Sequence, residues 1–248
     1  MKLLVDIGNS AIKTAVLQQG EISDYRSMRY QRPVSNDVIE QLWGKQEKPA
    51  EVWIANVGGH QIEKILTNWI ETHWQCRVYF AKTKKNTAGI SNGYDDVQQL
   101  GVDRWLAMVA AKKLVGCPVI IVDCGTAVTI DAIHSDGEHL GGFILCGLQT
   151  QINALLKSTV ISVKWTSANV VFEPAKNTQS AIIRAAVYSI VTWIERVVED
   201  LANLHKIKFN RVITGGEAAK LIPYLNDEWF LKDDLVLSGL KYSIENQI

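Results

Sequence analysis

No charge of one sign dominates this chain. Its 26 lysines and arginines balance 26 aspartates and glutamates, so there is no global basic field to hold nucleic acid or an anionic membrane. The one local basic run, Lys82–Lys85 with Thr83 inside it, reads as a solvated loop. Cysteine is scarce. Cys76, Cys117, Cys124 and Cys146 form no CxxC pair, so their spacing yields neither a disulfide framework nor a zinc site. The five histidines form no ligand pattern either. Long apolar runs are missing too. Asp6 breaks the N-terminal one too early for a signal-peptide core, and none reaches the roughly 20 residues of a membrane helix. The expected compartment is the cytoplasm. What is present is a large apolar share, 47% of 248 residues with 21% charged. That is the composition of a globular chain with a full core, long enough for one large domain or two of ordinary size.

The pattern along the chain begins as a β-meander. "KLLVDI" at 2–7 reads as a strand, Gly8-Asn9 as a hairpin turn, and "AIKTAVL" at 11–17 as the returning strand. A third strand is expected over 21–28. Ser35 precedes a short helix, "NDVIEQLW". "EVWIANV" at 51–57 reads as a buried strand, and Ile62, Ile65, Leu66 and Ile70 recur at helical spacing. A strand at 77–81 and a helix at 103–114 follow. The pattern then restarts. "PVIIVDCGTAVTIDAI" at 118–133 repeats the plan of residues 2–16, with Val122-Asp123-x-Gly125 matching Val5-Asp6-x-Gly8. A strand near 141–145, a long amphipathic helix over about 179–205, a strand at 211–216 entering a glycine turn and helix, and a last strand over 234–240 complete it. The chain therefore reads as a duplication with a boundary near Pro118, residues 1–117 and 118–248. The two α/β halves, each a mixed sheet with a meander plus helices, are expected to flank a shared cleft.

Two aspartates at equivalent strand ends make a chemically sensible cation site. Mg²⁺ takes one or two carboxylates, waters and substrate phosphates. The turns beside them supply Gly8, Asn9, Ser10, Gly125 and Thr126. Glycine lets a backbone approach phosphate closely, and hydroxyls and amides donate to its oxygens. Lys13 could counter phosphate charge, and Thr214-Gly215-Gly216 opens a helix whose amides favour an anion or a nucleoside. A lone D-x-G is ordinarily a tight turn; its repetition at the head of two similar halves, with a third glycine turn, points to nucleotide binding. No Walker-type loop and no strand-opening G-x-G-x-x-G is present, so the phosphate site must be of another design.

"DIGNSAIK", "GVDR" at 101–104, "DCGTAVTID" at 123–131, "GGFILCGL" at 141–148 and "TGG" at 214–216 occur in that order. Together they resemble type III pantothenate kinase, a family of the actin/hexokinase/Hsp70-like ATPase superfamily. The resemblance spans nearly the whole chain. It implies a duplicated ribonuclease H-like (actin-like ATPase) fold and ATP-dependent phosphorylation of pantothenate to 4'-phosphopantothenate, the first step of coenzyme A biosynthesis. Asp6, Ile7, Gly8, Asn9, Ser10, Ala11, Ile12 and Lys13 would form the first phosphate-binding turn, with Asp6 toward Mg²⁺. Asp123 would hold a monovalent cation, K⁺ or NH₄⁺, and Thr126 would contact ATP. Tyr94, Gly101, Val102, Asp103, Arg104 and Thr178 would bind pantothenate, with Asp103 as the general base. The family is dimeric, which implies a homodimer. This chain departs from the family at Cys146, where proline is usual, at Ser10, where threonine is commoner, and in "IANVGG" at 54–59.

Asp103 stands where a helix begins, so its bland role is to cap that helix; Thr178 has the same alternative. Tyr94 could be a loop anchor packed on the core. Arg104 has a planar fork suited to pantothenate's carboxylate. A competing reading is a non-catalytic regulator resembling the Bvg accessory factor. Against it, Asp6, Asp103, Arg104 and Asp123 are all retained, and no basic patch suggests contact with DNA.

Overall fold

A computed structural model describes residues 1–30, 34–160, 173–226 and 228–245. They form two compact units. The first is Met1–Leu114 with the C-terminal segment from Asp234, and the second is Val115–Asp233.

The first unit opens with β1 (Lys2–Ile7), β2 (Ala11–Gln18) and β3 (Glu21–Arg29) as an antiparallel meander. After α1 (Asn36–Trp43) comes β4 (Glu51–Asn56), which returns parallel to β1. Helix α2 (His60–His73) leads to β5 (Arg77–Phe80), parallel to β4. The sheet order is β3-β2-β1-β4-β5. Strand alternation explains the central position of β1. Leu3, Val5 and Ile7 enter one core with Val52 and Ile54 of β4 and with Ile62, Leu66 and Ile70 of α2. Leu4 and Asp6 fall on the opposite face, and both are buried. Trp43, Trp69 and Trp74 pack together in that core, with ring centroids 4.8 to 5.6 Å apart. A small ribbon, β6 (Asn86–Thr87) with β7 (Ile90–Ser91), precedes α3 (Val102–Val115). Residues 104 to 111 of α3 are buried in one unbroken run, as in a helix covered on all sides.

The second unit repeats the plan. Strands β8 (Val119–Cys124), β9 (Ala127–Ile133) and β10 (His139–Cys146) form the meander. Helices α4 (Leu148–Lys157) and α5 (Thr178–His205) come before β11 (Asn210–Thr214), which is parallel to β8. Helix α6 (Ala218–Leu221) and a 3-10 turn at Ile222–Tyr224 lead to β12 (Phe230–Leu231), parallel to β11. The order β10-β9-β8-β11-β12 is that of the first sheet, strand for strand. Helix α5 buries Ile183, Val187, Ile190, Ile194 and Val197 on one face, the stripe its sequence spacing requires. It ends with Lys206 in the left-handed region at φ 55°.

Residues 234–240 correct the sequence reading. They were expected to be a strand, but α7 (Leu235–Glu245) is a helix, and the last strand is β12. A short apolar run is ambiguous between strand and helix; here Leu235, Val236, Gly239, Leu240 and Ser243 make one buried helical face. That face packs in the first unit, on β1, β2 and β4. Gly239 is pressed onto α3, where a Cβ would stand 2.2 Å from the Leu106 carbonyl oxygen. A boundary at 118 with everything after it in the second half therefore misassigns residues 234–245.

Candidate active site

The first strand end carries Asp6, 8% exposed, opposite Lys13 across the β1–β2 ladder. Between them the chain turns through Gly8, Asn9 and Ser10, closed by the Gly8 amide donating to the Ala11 carbonyl at 3.0 Å. Ile7 and Ile12 are fully buried in the core, so of the expected phosphate-turn residues these two can offer a ligand only backbone. Asn9 and Ser10 are exposed, and Ala11 and Lys13 half-buried. The turn is held from outside by Tyr30. Its hydroxyl donates to the Gly8 carbonyl at 2.6 Å and its amide to the Ser10 carbonyl at 3.1 Å.

The head of α3 gathers the residues expected to bind pantothenate. The Trp105 amide donates to the Gly101 carbonyl at 3.1 Å, so the helix is entered at Gly101 and Asp103 lies inside the first turn. The Asp103 carboxylate accepts from the Arg104 amide at 2.8 Å, satisfying one of the donors a helix start leaves open. This carboxylate folds back over Gly101, where a Cβ would stand 2.5 Å from its Oδ1, so a side chain at 101 would displace the acid. Val102 is buried. Arg104, 8% exposed, donates from Nη1 to the Tyr94 hydroxyl at 2.7 Å. Its guanidinium carbon stands 5.5 Å from the centre of the Tyr94 ring, within cation–π range. Just ahead of this corner, the buried Thr83 hydroxyl donates to the Leu100 carbonyl at 2.8 Å. The lysines around Thr83 are exposed, as a solvated loop requires.

In the second unit Asp123 is the penultimate residue of β8, opposite Thr129 on one side and Thr214 on the other. The Gly125 amide donates to the Ala127 carbonyl at 2.9 Å, the counterpart of the Gly8–Ala11 bond. Thr126 stands exposed at the tip. Its carbonyl accepts from the Gly147 amide at 3.0 Å and the Thr150 hydroxyl at 2.7 Å. Gly215, with φ 98°, comes so close to β8 that a Cβ would stand 2.5 Å from Asp123 Oδ1 and from the Cys124 backbone. Thr178 is the exposed first residue of α5. The cap is Asn177, whose side chain accepts from the Ser180 amide at 2.8 Å, so Thr178 does not cap. Cys146, at the end of β10, is exposed, and its carbonyl accepts from Gln151.

Three residues were not singled out by sequence reading. Tyr30 follows the polar edge strand β3 and carries no motif. Asn56 follows the buried run of β4; its side chain accepts from the Gly58 amide and donates to Gly59 and Glu63, organising the "NVGG" turn. Glu217 directly follows the third glycine turn, a signal that could have found it. It is 5% exposed, accepts from the Gln149 amide at the start of α4, and pairs with Lys220. Burial, reinforced by Asp123 and Glu217, pushes the Cys124 thiol up, so it stays a neutral, inert thiol. Among the described residues no group of three or more His, Cys, Asp or Glu converges, and no helix is long and apolar enough to cross a membrane.

A Baf family protein from Campylobacter jejuni shares the fold with a TM-score of 0.64 at 22% identity, covering 99% of this chain and 98% of that one. MreB5 of Spiroplasma citri, solved bound to ADP, matches at 0.53 and 12% identity over 99% and 96% of the two chains. At such identities these likenesses establish the duplicated actin-like α/β fold and nothing more. Sequence carries further. The chain is similar to a type III pantothenate kinase of Nitrosococcus oceani, 38% identical over 246 residues, 97% of this chain and 92% of the relative. It is similar to another of Hydrogenovibrio crunogenus, 32% identical over 248 residues, 99% and 100% of the two. The family model for type III pantothenate kinase matches residues 2–200. This chain belongs to the type III pantothenate kinase family.

Proposed function

We propose that the protein transfers the γ-phosphoryl group of ATP to the hydroxyl of pantothenate, giving 4'-phosphopantothenate and ADP as the first step toward coenzyme A. The observation that carries this reading is the corner at the head of α3. There a carboxylate, Asp103, and a buried guanidinium, Arg104 braced by Tyr94, stand on consecutive residues.

The chain's residues divide the work as follows. Arg104, with its Nη1 held by the Tyr94 hydroxyl, offers a planar guanidinium that matches the pantothenate carboxylate; Thr178 adds a further contact. Asp103 accepts the proton of the attacking hydroxyl as its oxygen bonds to the γ-phosphorus. The bond from that phosphorus to the bridging oxygen breaks, and ADP leaves. The helix start and the Arg104 amide favour an ionised Asp103. A weakly basic acceptor suffices, because a loose transition state releases the proton late. The Gly8–Ser10 turn, Lys13 and Thr126 take the phosphates of ATP.

The donor set suits cations. Asp6 and Asp123 are carboxylates at strand ends beside turns of small residues, and Gly215 leaves the Asp123 side chain the space a Cβ would fill. Mg²⁺ needs only one or two such ligands besides water and phosphate oxygens. Asp6 would hold the divalent ion, and Asp123 a monovalent one, K⁺ or NH₄⁺. Bound with ATP, these ions offset negative charge on the phosphate oxygens.

The working species is proposed to be a homodimer in the cytoplasm. Edge strand β10 exposes Phe143 and Ile144, and α5 exposes Tyr188; apolar side chains on an open sheet edge call for a covering partner. ADP release from ATP, followed with and without pantothenate in potassium and in sodium buffer, tests the activity. Pantothenate-dependent turnover that is faster in potassium is expected, and its absence in every buffer would refute the kinase reading. Sedimentation of the intact protein tests the dimer.

A further inference from the structure

The first unit contains a cavity lined by none of the residues proposed to hold pantothenate or ATP. It measures about 170 Å³ and is bounded by the middle of β4, the end of β5, the loop after β5, and helices α3 and α7. Its apolar wall is Trp53, Phe80 and Trp105. An apolar cavity of about 150 Å³ admits a benzene ring, so this space holds one six-membered ring and is far larger than a single water needs.

The polar groups around that wall are donors. Ser243 is 6% exposed and Trp105 2%, and both line the cavity. Among the described residues, neither the Ser243 hydroxyl nor the Trp105 indole N–H finds a hydrogen-bond acceptor. Lys82 and Lys84 line the same space from the exposed loop, and neither joins an ion pair among the described residues. The Thr87 hydroxyl, also on the lining, already donates to the Asn86 carbonyl at 2.8 Å. No carboxylate lines the cavity. An indole N–H, a hydroxyl and two ammonium groups are all donors; neither the Trp105 nor the Ser243 polar atom is a sealed, unpaired one, so each can meet an acceptor placed in the cavity. The complementary ligand is therefore flat, apolar and acceptor-rich at one end.

We infer that this cavity is a binding site for a small aromatic carboxylate. The ring is held by Trp53, Phe80 and Trp105, and the carboxylate accepts from donors among Trp105, Ser243, Lys82 and Lys84. The test titrates the intact protein with benzoate and, in parallel, with neutral benzyl alcohol, following the indole N–H resonances of all eight tryptophans. Benzoate should shift Trp53 and Trp105 saturably, and benzyl alcohol should bind at least about tenfold more weakly, as expected for loss of charge-assisted hydrogen bonds. The double variant Lys82→Gln with Lys84→Gln, both changes at exposed positions, should weaken benzoate about tenfold and leave benzyl alcohol unaltered. Ser243→Leu, which fills the space, should abolish both shifts; if that variant does not fold, the lysine variant still decides. No saturable shift of Trp53 and Trp105 at millimolar benzoate, or equal affinity for acid and alcohol, overturns the inference. No ATP is involved in this readout, so it stands or falls apart from the kinase reading.

Discussion

The two halves of this protein share a strand order and differ in how each secures its strand-end aspartate. In both, a glycine amide closes the turn onto an alanine carbonyl, Gly8 to Ala11 and Gly125 to Ala127. In both, the residue after the third strand donates its amide to the turn, Tyr30 to Ser10 and Gly147 to Thr126. The first half then uses side chains: the Tyr30 hydroxyl on Gly8, and Asn56 on its own loop. The second has one such side chain, the Thr150 hydroxyl on Thr126, and relies chiefly on close backbone packing. Gly147 admits no Cβ, since one would stand 2.1 Å from the Gly125 oxygen, and Gly215 lies against Asp123 in the same way. A duplicated scaffold thus keeps its hydrogen bonds and exchanges the means that enforce them. One turn is braced by replaceable side chains, the other chiefly by an absence that no substitution can supply.

The helices that follow the fifth strands sharpen the contrast most. Asp103 lies in the first turn of α3, and Asp234 stands at the entry to α7, where its carbonyl accepts from the Ser238 amide. Asp234 is engaged by the Tyr25 hydroxyl. Asp103→Asn should therefore fold with an unchanged melting temperature and lose about 10² to 10⁴ in turnover. Asp234→Asn should retain turnover. Near wild-type rates for Asp103→Asn in a coupled ADP assay would leave that acid only its role in the helix turn.

Next in size are the glycines. Gly147→Ala should cost about 1–3 kcal/mol or more by overpacking, read from denaturant midpoints. Gly215→Ala should cost more than Gly59→Ala. Both glycines have φ 98°, but a Cβ at Gly59 meets nothing within 4 Å, so only the backbone penalty of its glycine-type conformation, φ 98° with ψ 171°, about 1–3 kcal/mol, applies there. Equal losses would mean that the close approach to Asp123 contributes nothing. Tyr30→Phe removes one hydrogen bond, about 0.5–1.5 kcal/mol, and should raise the KM for ATP several-fold with little change in kcat. A melting-temperature loss with an unchanged KM would show that Tyr30 serves stability alone.

The smallest effect is in alkali. Burial, helped by Asp234, raises the Tyr25 phenol above its ordinary value. Folding thus favours the protonated phenol, and its contribution is complete below about pH 10 and lost as pH rises toward the folded value. Tyr25→Phe should flatten that part of the stability curve, and a curve superposable on wild type would remove the Tyr25–Asp234 contact from the account.

The sequence made the meanders, the repeated aspartates and the amphipathic α5 legible because each is a local period. β1 alternates into two faces, and α5 repeats its buried stripe from Ile183 to Val198, about four turns. Residue chemistry pointed to Arg104 but could not supply Tyr94 as its brace, since the nine residues between them include a loop whose path only the fold sets. Tyr30 was hidden because its role is a single long-range hydrogen bond. Helix α7 was misread because "LVLSGL" is apolar enough for either structure; the deciding fact, Gly239 against Leu106, joins residues more than a hundred positions apart.

That contact bears on how the molecule assembles. The first unit completes its packing with a helix that lies beyond the whole second unit in the chain, so its core cannot close during synthesis until the second unit has been made. A fragment ending at residue 117 would leave the α3 surface around Leu106 bare and should be isolated only as a poorly packed, aggregation-prone species. Restoring residues 234–248 behind a short linker should recover a cooperative unfolding transition.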